Sequence, residues 1–138
     1  MSFKELKDRI KKNEGYSDKP YRDQLGFYTI GYGHLITKKE NIYFLKKFNK
    51  KHFEELFEID FKKAHEQYKI NFFRKDHTTS EKELLIEMLF QLGAKGVSKF
   101  KKMLYFLNKK QKFMASLEML DSLWYLQTPE RVKSLIKN

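Results

Sequence analysis

The chain has 138 residues, enough for one domain or two small lobes sharing a core; folding removes roughly two-thirds of such a chain's surface from water, so no covalent staple is needed. It contains no cysteine, which excludes disulfides and thiolate metal sites. Against 18 acidic residues stand 29 Lys+Arg, and the net charge of +11 favours an anionic partner: nucleic acid, anionic lipid, or an acidic polymer such as bacterial cell wall.

Twenty-five of the basic residues are Lys and only four are Arg. Lysine is a hydrated point charge without Arg's bidentate fork, so the excess suits general attraction better than base-specific reading. The 13 Phe and 8 Tyr serve equally as stacking platforms or as core. No apolar run approaches the ~18 residues that cross a bilayer. Met1-Ser2-Phe3-Lys4-Glu5-Leu6 lacks the apolar stretch of a signal peptide and reads as the start of a helix.

Phe3, Leu6 and Ile10 recur on one helical face, Ser2 and Glu5 have capping-box spacing, and Gly15 ends this first helix, expected over 2–13. Four of the six glycines, with Pro20, fall between 15 and 33, interleaved with Tyr21, Phe27, Tyr28, Thr29, Ile30 and Tyr32. Turn formers between β-branched and aromatic residues predict a small antiparallel sheet. Phe53, Leu56, Phe57, Phe61, Ala64 and Tyr68 then form one stripe of a helix over 53–69. Ser80 and Glu83 offer a second capping box ahead of Leu84, Leu85, Met88, Leu89 and Leu92, with Gly93 closing that helix. Shorter helices follow over 100–107 and 113–123, and Thr128-Pro129 opens a last one through Val132, Leu135 and Ile136. The class is α+β, mostly helical.

Glu14 falls at the end of the first helix, where the dipole is negative and a carboxylate should have a raised pKa, the property a general acid needs. A solvated Glu at a helix end satisfies the same position. Asp23, before Gly26, is a second carboxylate near the glycine-rich sheet and also a common turn former; Thr29 is a good strand residue. Two carboxylates near a sheet resemble glycosidase equipment, but many pairs would do so by chance.

The whole string carries more. Asn13-Glu14-Gly15, then Tyr21-Arg22-Asp23, then Gly26-Phe27-Tyr28-Thr29-Ile30-Gly31-Tyr32-Gly33-His34-Leu35-Ile36-Thr37 strongly resembles the T-even-phage lysozyme-like family, the endolysin muramidases. Leu56-Phe57 with Asp60, Met88-Leu89-Phe90-Gln91-Leu92-Gly93, and Trp124-Tyr125-Leu126-Gln127-Thr128-Pro129-Glu130-Arg131 continue the resemblance in order. It implies a lysozyme-like fold: the N-terminal helix packing with a helical C-lobe over 70–138, a β-containing N-lobe over 14–52, and a joining helix over 53–69. It implies an inverting muramidase with Glu14 as general acid and with Asp23 and Thr29 holding the attacking water. Leu35, Phe90, Gln91 and Arg131 would contact sugar or support the site, Arg131 facing the catalytic Glu, and His34 would pair structurally with Asp60.

Trp124 reads as core rather than as a sugar platform. His52, His65 and His77 lack metal-ligand spacing, so no metal is expected, and the resemblance implies no cofactor. The resemblance further implies peptidoglycan as substrate, a monomer without a membrane anchor or need for nucleic acid, and residence in the bacterial host cytoplasm until a holin-type route releases it to the wall. A cationic protein that binds wall, membrane or nucleic acid without catalysis is the alternative. The segment after His34 is shorter than in the family and rich in lysine, so subsites there are expected to differ. An early chain end would remove part of the C-lobe's cover.

The charge is unevenly spread. Residues 1–34 carry seven basic and five acidic side chains, whereas 38–51 carry six lysines and one Glu, and 95–112 carry seven lysines and no acid. Excess charge outside the matched catalytic string suits attraction to a negatively charged wall.

Overall fold

Helix α1 (Lys4–Glu14) places Leu6 and Ile10 out of reach of solvent, as their spacing requires. The computed structural model describes residues 3–23, 26–120, 122 and 128–137. Ser2 and Trp124, together with the rest of the 123–127 stretch, lie outside the described residues. Phe3 is the N-cap of α1 and makes no side-chain capping bond. The helix stops where expected: Gly15, at φ 74°, turns the chain while its N–H donates to Lys11 O at 2.9 Å.

Three antiparallel strands follow in the order β1 (Ser17–Arg22), β2 (Tyr28–Gly31), β3 (His34–Leu35). Tyr21 pairs with Thr29, and Thr29 with Leu35, so β2 is central. The β1–β2 register shifts between Ser17 and Tyr21, the stretch that contains Pro20. A proline lacks the N–H a ladder needs and is tolerated at such an irregularity.

A 3₁₀ segment over Lys38–Phe44 was not foreseen, because its lysine-rich sequence has no period to read. It is anchored by Tyr43, which packs in one cluster with Ile30 of β2 and Phe53, and whose hydroxyl lies 2.8 Å from His52 Nε2. Helix α2 (Lys50–Gln67) begins earlier than the apolar stripe suggests, because Asn49 Oδ1 accepts the His52 N–H at 2.9 Å and so caps the first turn. Of the expected stripe, Phe53, Phe57, Phe61 and Ala64 are buried and Leu56 only partly so, and Tyr68 continues it in a π-turn over Tyr68–Phe72.

The chain divides into two compact units, Met1–Lys63 and Ala64–Asn138, the division falling inside α2. Within the first unit, α1 is tied to α2 by Lys7 to Glu58 at 2.8 Å, Lys11 to Glu54 at 2.6 Å, and the rings of Phe3 and Phe61 at 5.6 Å. In the second unit, α3 (Thr79–Ser98), α4 (Lys101–Asn108), α5 (Lys112–Leu120) and α6 (Pro129–Lys137) bury Leu85, Ile86, Met88, Leu89, Val97, Met103, Leu107, Met119, Val132 and Leu135. Thr128 and Pro129 do open the last helix, with the Val132 N–H donating to Thr128 O at 3.2 Å. Gly93, at φ 75°, breaks α3, and one more turn follows it.

The start of α3 differs from the expected Ser80–Glu83 box. Thr78 is the cap: its Oγ1 accepts the Glu81 N–H at 3.2 Å, and its own N–H donates to Glu81 Oε1 at 2.8 Å. Both registers fit a Ser/Thr-x-x-Glu pattern. Lys110 selects between them by reaching the buried Glu81 carboxylate at 2.6 Å. Thr78→Ala is therefore expected to cost about 1 kcal/mol, while Ser80→Ala stays within about 0.5 kcal/mol. Urea denaturation of the two variants checks the register; equal losses would refute it.

The architecture is α+β and mostly helical, as expected. Among the described residues no helix is long and apolar enough to cross a membrane.

Candidate active site

Glu14 is the last residue of α1, so its backbone is set by a helix whose inner face is buried. Its half-buried carboxylate lies against Gly33, at the turn between β2 and β3. A Cβ on Gly33 would sit 1.9 Å from Glu14 Oε2 and 2.7 Å from its Cδ, and Gly33 has a φ of 79°. Glycine is required there twice over, for the left-handed backbone and for the space the carboxylate occupies. Gly31 meets a similar demand, since a Cβ would come within 2.9 Å of the Phe53 ring that buttresses β2.

Asp23 directly follows β1 and organises the loop to β2. Its Oδ1 accepts the Phe27 N–H at 2.9 Å, and its own N–H donates to Phe27 O at 2.9 Å. Thr29 is nearly fully buried on β2, and its hydroxyl donates to the same Phe27 carbonyl at 3.0 Å. The main chain of one residue, Phe27, thus holds both side chains, its N–H holding Asp23 and its carbonyl Thr29. Tyr21, the cross-strand partner of Thr29, reports the two carboxylates together: burial raises its hydroxyl pKa first, and the charges of Glu14 and Asp23 raise it further. Glu14 at the β2–β3 turn, Asp23 after β1 and Thr29 on β2 are thus gathered around one sheet. Leu35, across from Thr29 on β3, is half exposed there.

His34 does pair with Asp60, Nδ1 to Oδ2 at 2.7 Å. The second carboxylate on its ring was not anticipated: Glu40, from the 3₁₀ segment, places both oxygens 3.0 Å from Nε2. Thr37 holds Glu40 in place through its N–H at 3.0 Å and its hydroxyl at 3.1 Å. A carboxylate faces each ring nitrogen, an arrangement that only the protonated imidazole, donating from both, satisfies in full, so the cation is favoured. Burial alone would lower the His34 pKa, but the bonds to Asp60 and Glu40 outweigh it and raise it above 6.5. Burial likewise pushes Glu40 up, and Thr37 and His34 overcome it, lowering its pKa below 4.5.

The stability that His34 contributes is thus complete below its unfolded value and is lost as pH rises through the raised folded one. That from Glu40 is present above its unfolded value and is lost as pH falls through the lowered one. The melting-temperature gap between wild type and His34→Asn is expected to be widest between about pH 4.5 and 6.5 and to narrow on the alkaline side. A gap that is constant into the alkaline range would contradict the pairing.

A second polar group braces the Gly33 turn. Tyr32 donates its hydroxyl to Glu54 Oε1 at 2.7 Å while Lys11 reaches Glu54 Oε2 at 2.6 Å and lies 5.1 Å from the Tyr32 ring centre. Burial first, and then the bond to Glu54, push the Tyr32 pKa up to about 12. The bond from Lys11 leads the bond from Tyr32 in lowering that of Glu54.

The remaining site candidates lie on the second unit. Phe90 is half-buried on α3. Gln91, beside it, has its Oε1 buried without a hydrogen-bond partner among the described residues. Arg131, in the first turn of α6, is almost fully buried and donates Nε to Glu87 Oε2 at 3.1 Å, with Glu87 itself sealed from solvent. A cation there opposes the helix dipole and needs a carboxylate, which α3 supplies. Glu87 carries a signal in its sequence: one charge inside the apolar run Leu84-Leu85-Ile86-Glu87-Met88-Leu89 requires a buried partner. Among the described residues no group of three or more His, Asp or Glu side chains is arranged to hold a metal.

The phage lysozyme family profile matches residues 11–137. The chain is similar to "Probable T4-type lysozyme 2" of Dictyostelium discoideum, 36% identical over 95% of this chain and 91% of that protein. It is also similar to "Probable T4-type lysozyme 1" of the same organism, 32% identical over the same shares of each.

Proposed function

The chain belongs to the phage lysozyme family, glycoside hydrolases of the muramidase type that act on peptidoglycan, and from that premise we propose that it cuts the β-1,4 bond between N-acetylmuramic acid and N-acetylglucosamine with inversion. The observation that carries this reading is the gathering of Glu14, Asp23 and Thr29 around one sheet, with the Glu14 carboxylate seated on Gly33.

Glu14 donates its proton to the glycosidic oxygen as the bond from that oxygen to the anomeric carbon breaks. A water on the opposite face of the ring attacks the anomeric carbon and gives its proton to Asp23; exchange with solvent then resets both carboxyl groups. Thr29 spends its own proton on Phe27 O, so toward a water its oxygen is an acceptor. The water is then held by two acceptors, Thr29 and Asp23, which directs an oxygen lone pair to the sugar. Leu35, Phe90, Gln91 and Arg131 keep the supporting roles that the resemblance implies. No residue in this scheme requires a cofactor.

The lysine-rich stretches draw the enzyme to the negatively charged wall. Activity on cells should therefore fall faster with salt than activity on a short soluble oligosaccharide. In the wider reading the enzyme acts as a monomer in host-cell lysis, is held in the cytoplasm, and reaches the wall by a holin-type route. The mechanism is tested by proton NMR of the first product formed from a soluble peptidoglycan oligosaccharide. The α-anomer is expected from the β-linked substrate; the β-anomer would overturn the water-holding role of Asp23.

A further inference from the structure

Helices α4 and α5 form a hairpin turned at Lys110, whose φ is 63°. Their inner faces supply Met103, Leu107, Ala115 and Met119 to the buried core. Helix α5 carries a second apolar stripe on its other side. Phe113, Met114, Leu117 and Leu120 recur at helical spacing and are all exposed, Phe113 at 66% and Leu117 at 44%. Tyr105 of α4 is 58% exposed beside them. Between the helices opens a cavity of about 480 Å³ lined by Lys101, Lys102, Tyr105, Phe106, Met114 and Glu118. Four exposed apolar side chains on one stripe beside Tyr105, on a chain rich in charge, mark an interaction surface.

The charge around it identifies the partner. Residues 95–112 hold seven lysines and no acid, and Lys101, Lys102, Lys109 and Lys112 are exposed around the apolar stripe, Lys109 lying 5.8 Å from the Tyr105 ring centre. A second copy of the chain would set this positive rim against itself. A polyanion of the wall would satisfy the lysines but offers no apolar phase for Phe113, Leu117 and Leu120. Nucleic acid could stack on Tyr105, yet Met114, Leu117 and Leu120 are aliphatic and give no stacking face. A bilayer with anionic headgroups takes both parts at once: acyl chains for the stripe, and phosphate for lysines whose stems lie along the apolar surface.

We propose that the α4–α5 hairpin is a docking face for anionic phospholipid membranes, separate from hydrolysis. The muramidase would thereby be retained at the bilayer that lines its substrate, a role that goes beyond the reading above and is measured without it.

Flotation of the full chain with phosphatidylcholine vesicles, with or without phosphatidylglycerol, tests this. Binding is expected only where phosphatidylglycerol is present. Phe113→Ser with Leu117→Ser should weaken it by about tenfold or more, and Lys101→Gln, Lys102→Gln and Lys109→Gln by about fivefold per lysine at low salt. Circular dichroism and hydrolysis of a soluble oligosaccharide should be unchanged in both variants. Because the chain has no cysteine, Leu117→Cys labelled with an environment-sensitive dye gives a readout that needs no loss of stability. Its emission should shift to the blue with anionic vesicles, while dye at Lys75→Cys should not respond. Absence of binding, or binding that the apolar double variant leaves intact, would overturn the proposal. So would equal capture by a soluble polyanion, or self-association that accounts for the dye shift.

Discussion

Glu14→Gln is expected to lower peptidoglycan hydrolysis by ~10²–10⁴ while the folded structure and melting temperature stay in place. The amide has the shape of the carboxyl group but cannot supply a proton to the leaving oxygen. Because the two groups match in size, the amide fits the space over Gly33 that the carboxylate occupies. Turbidity loss of outer-membrane-permeabilised cells, with circular dichroism on both proteins, measures this. A folded Glu14→Gln protein that lyses as fast as wild type would remove Glu14 from the reaction.

Gly33→Ala should separate catalysis from stability in the same site. The new methyl would fall 1.9 Å from Glu14 Oε2 and 3.0 Å from its Cγ, an overlap that must be relieved. Glu14 is flexible at that end, so the cheapest relief is for the carboxylate to swing away. Stability then falls by about 1–2 kcal/mol, from the left-handed backbone alone. Activity falls by ~10²-fold, because a general acid displaced by about 1 Å no longer meets its oxygen. Gly93→Ala is the control: its φ of 75° imposes similar strain, with nothing described within 4 Å of the added carbon. Comparable destabilisation in both, with activity lost only at Gly33, is the expected pattern. Equal activity in the two variants would show that Glu14 does not depend on the Gly33 space.

Helix periodicity made most of the elements legible, since Leu6 with Ile10, and Phe53 with Phe57 and Phe61, each repeat at a spacing that only a buried helical face explains. Boundaries were less legible where several residues offered the same chemistry. Thr78 and Ser80 both precede a Glu by three positions, and the Lys110 contact from a distant helix favours the first. The 3₁₀ segment gave no periodic signal, and with it went Glu40, the second carboxylate on His34.

The family was readable from the residue string because the residues proposed to act lie close together in the chain. Glu14 lies at a helix end, Asp23 and Thr29 border one hairpin, and the glycines that give them room are their near neighbours in sequence. Only the folded structure decided which groups hold that apparatus. The main chain of Phe27 holds both Asp23 and Thr29, and Glu54 joins Lys11 to Tyr32 behind the Gly33 turn; in the second unit, separately, Glu87 meets Arg131 from 44 positions away. Such partners depend on how helices pack across long loops, and a carboxylate in one helix has no pattern that names the cation it will meet in another.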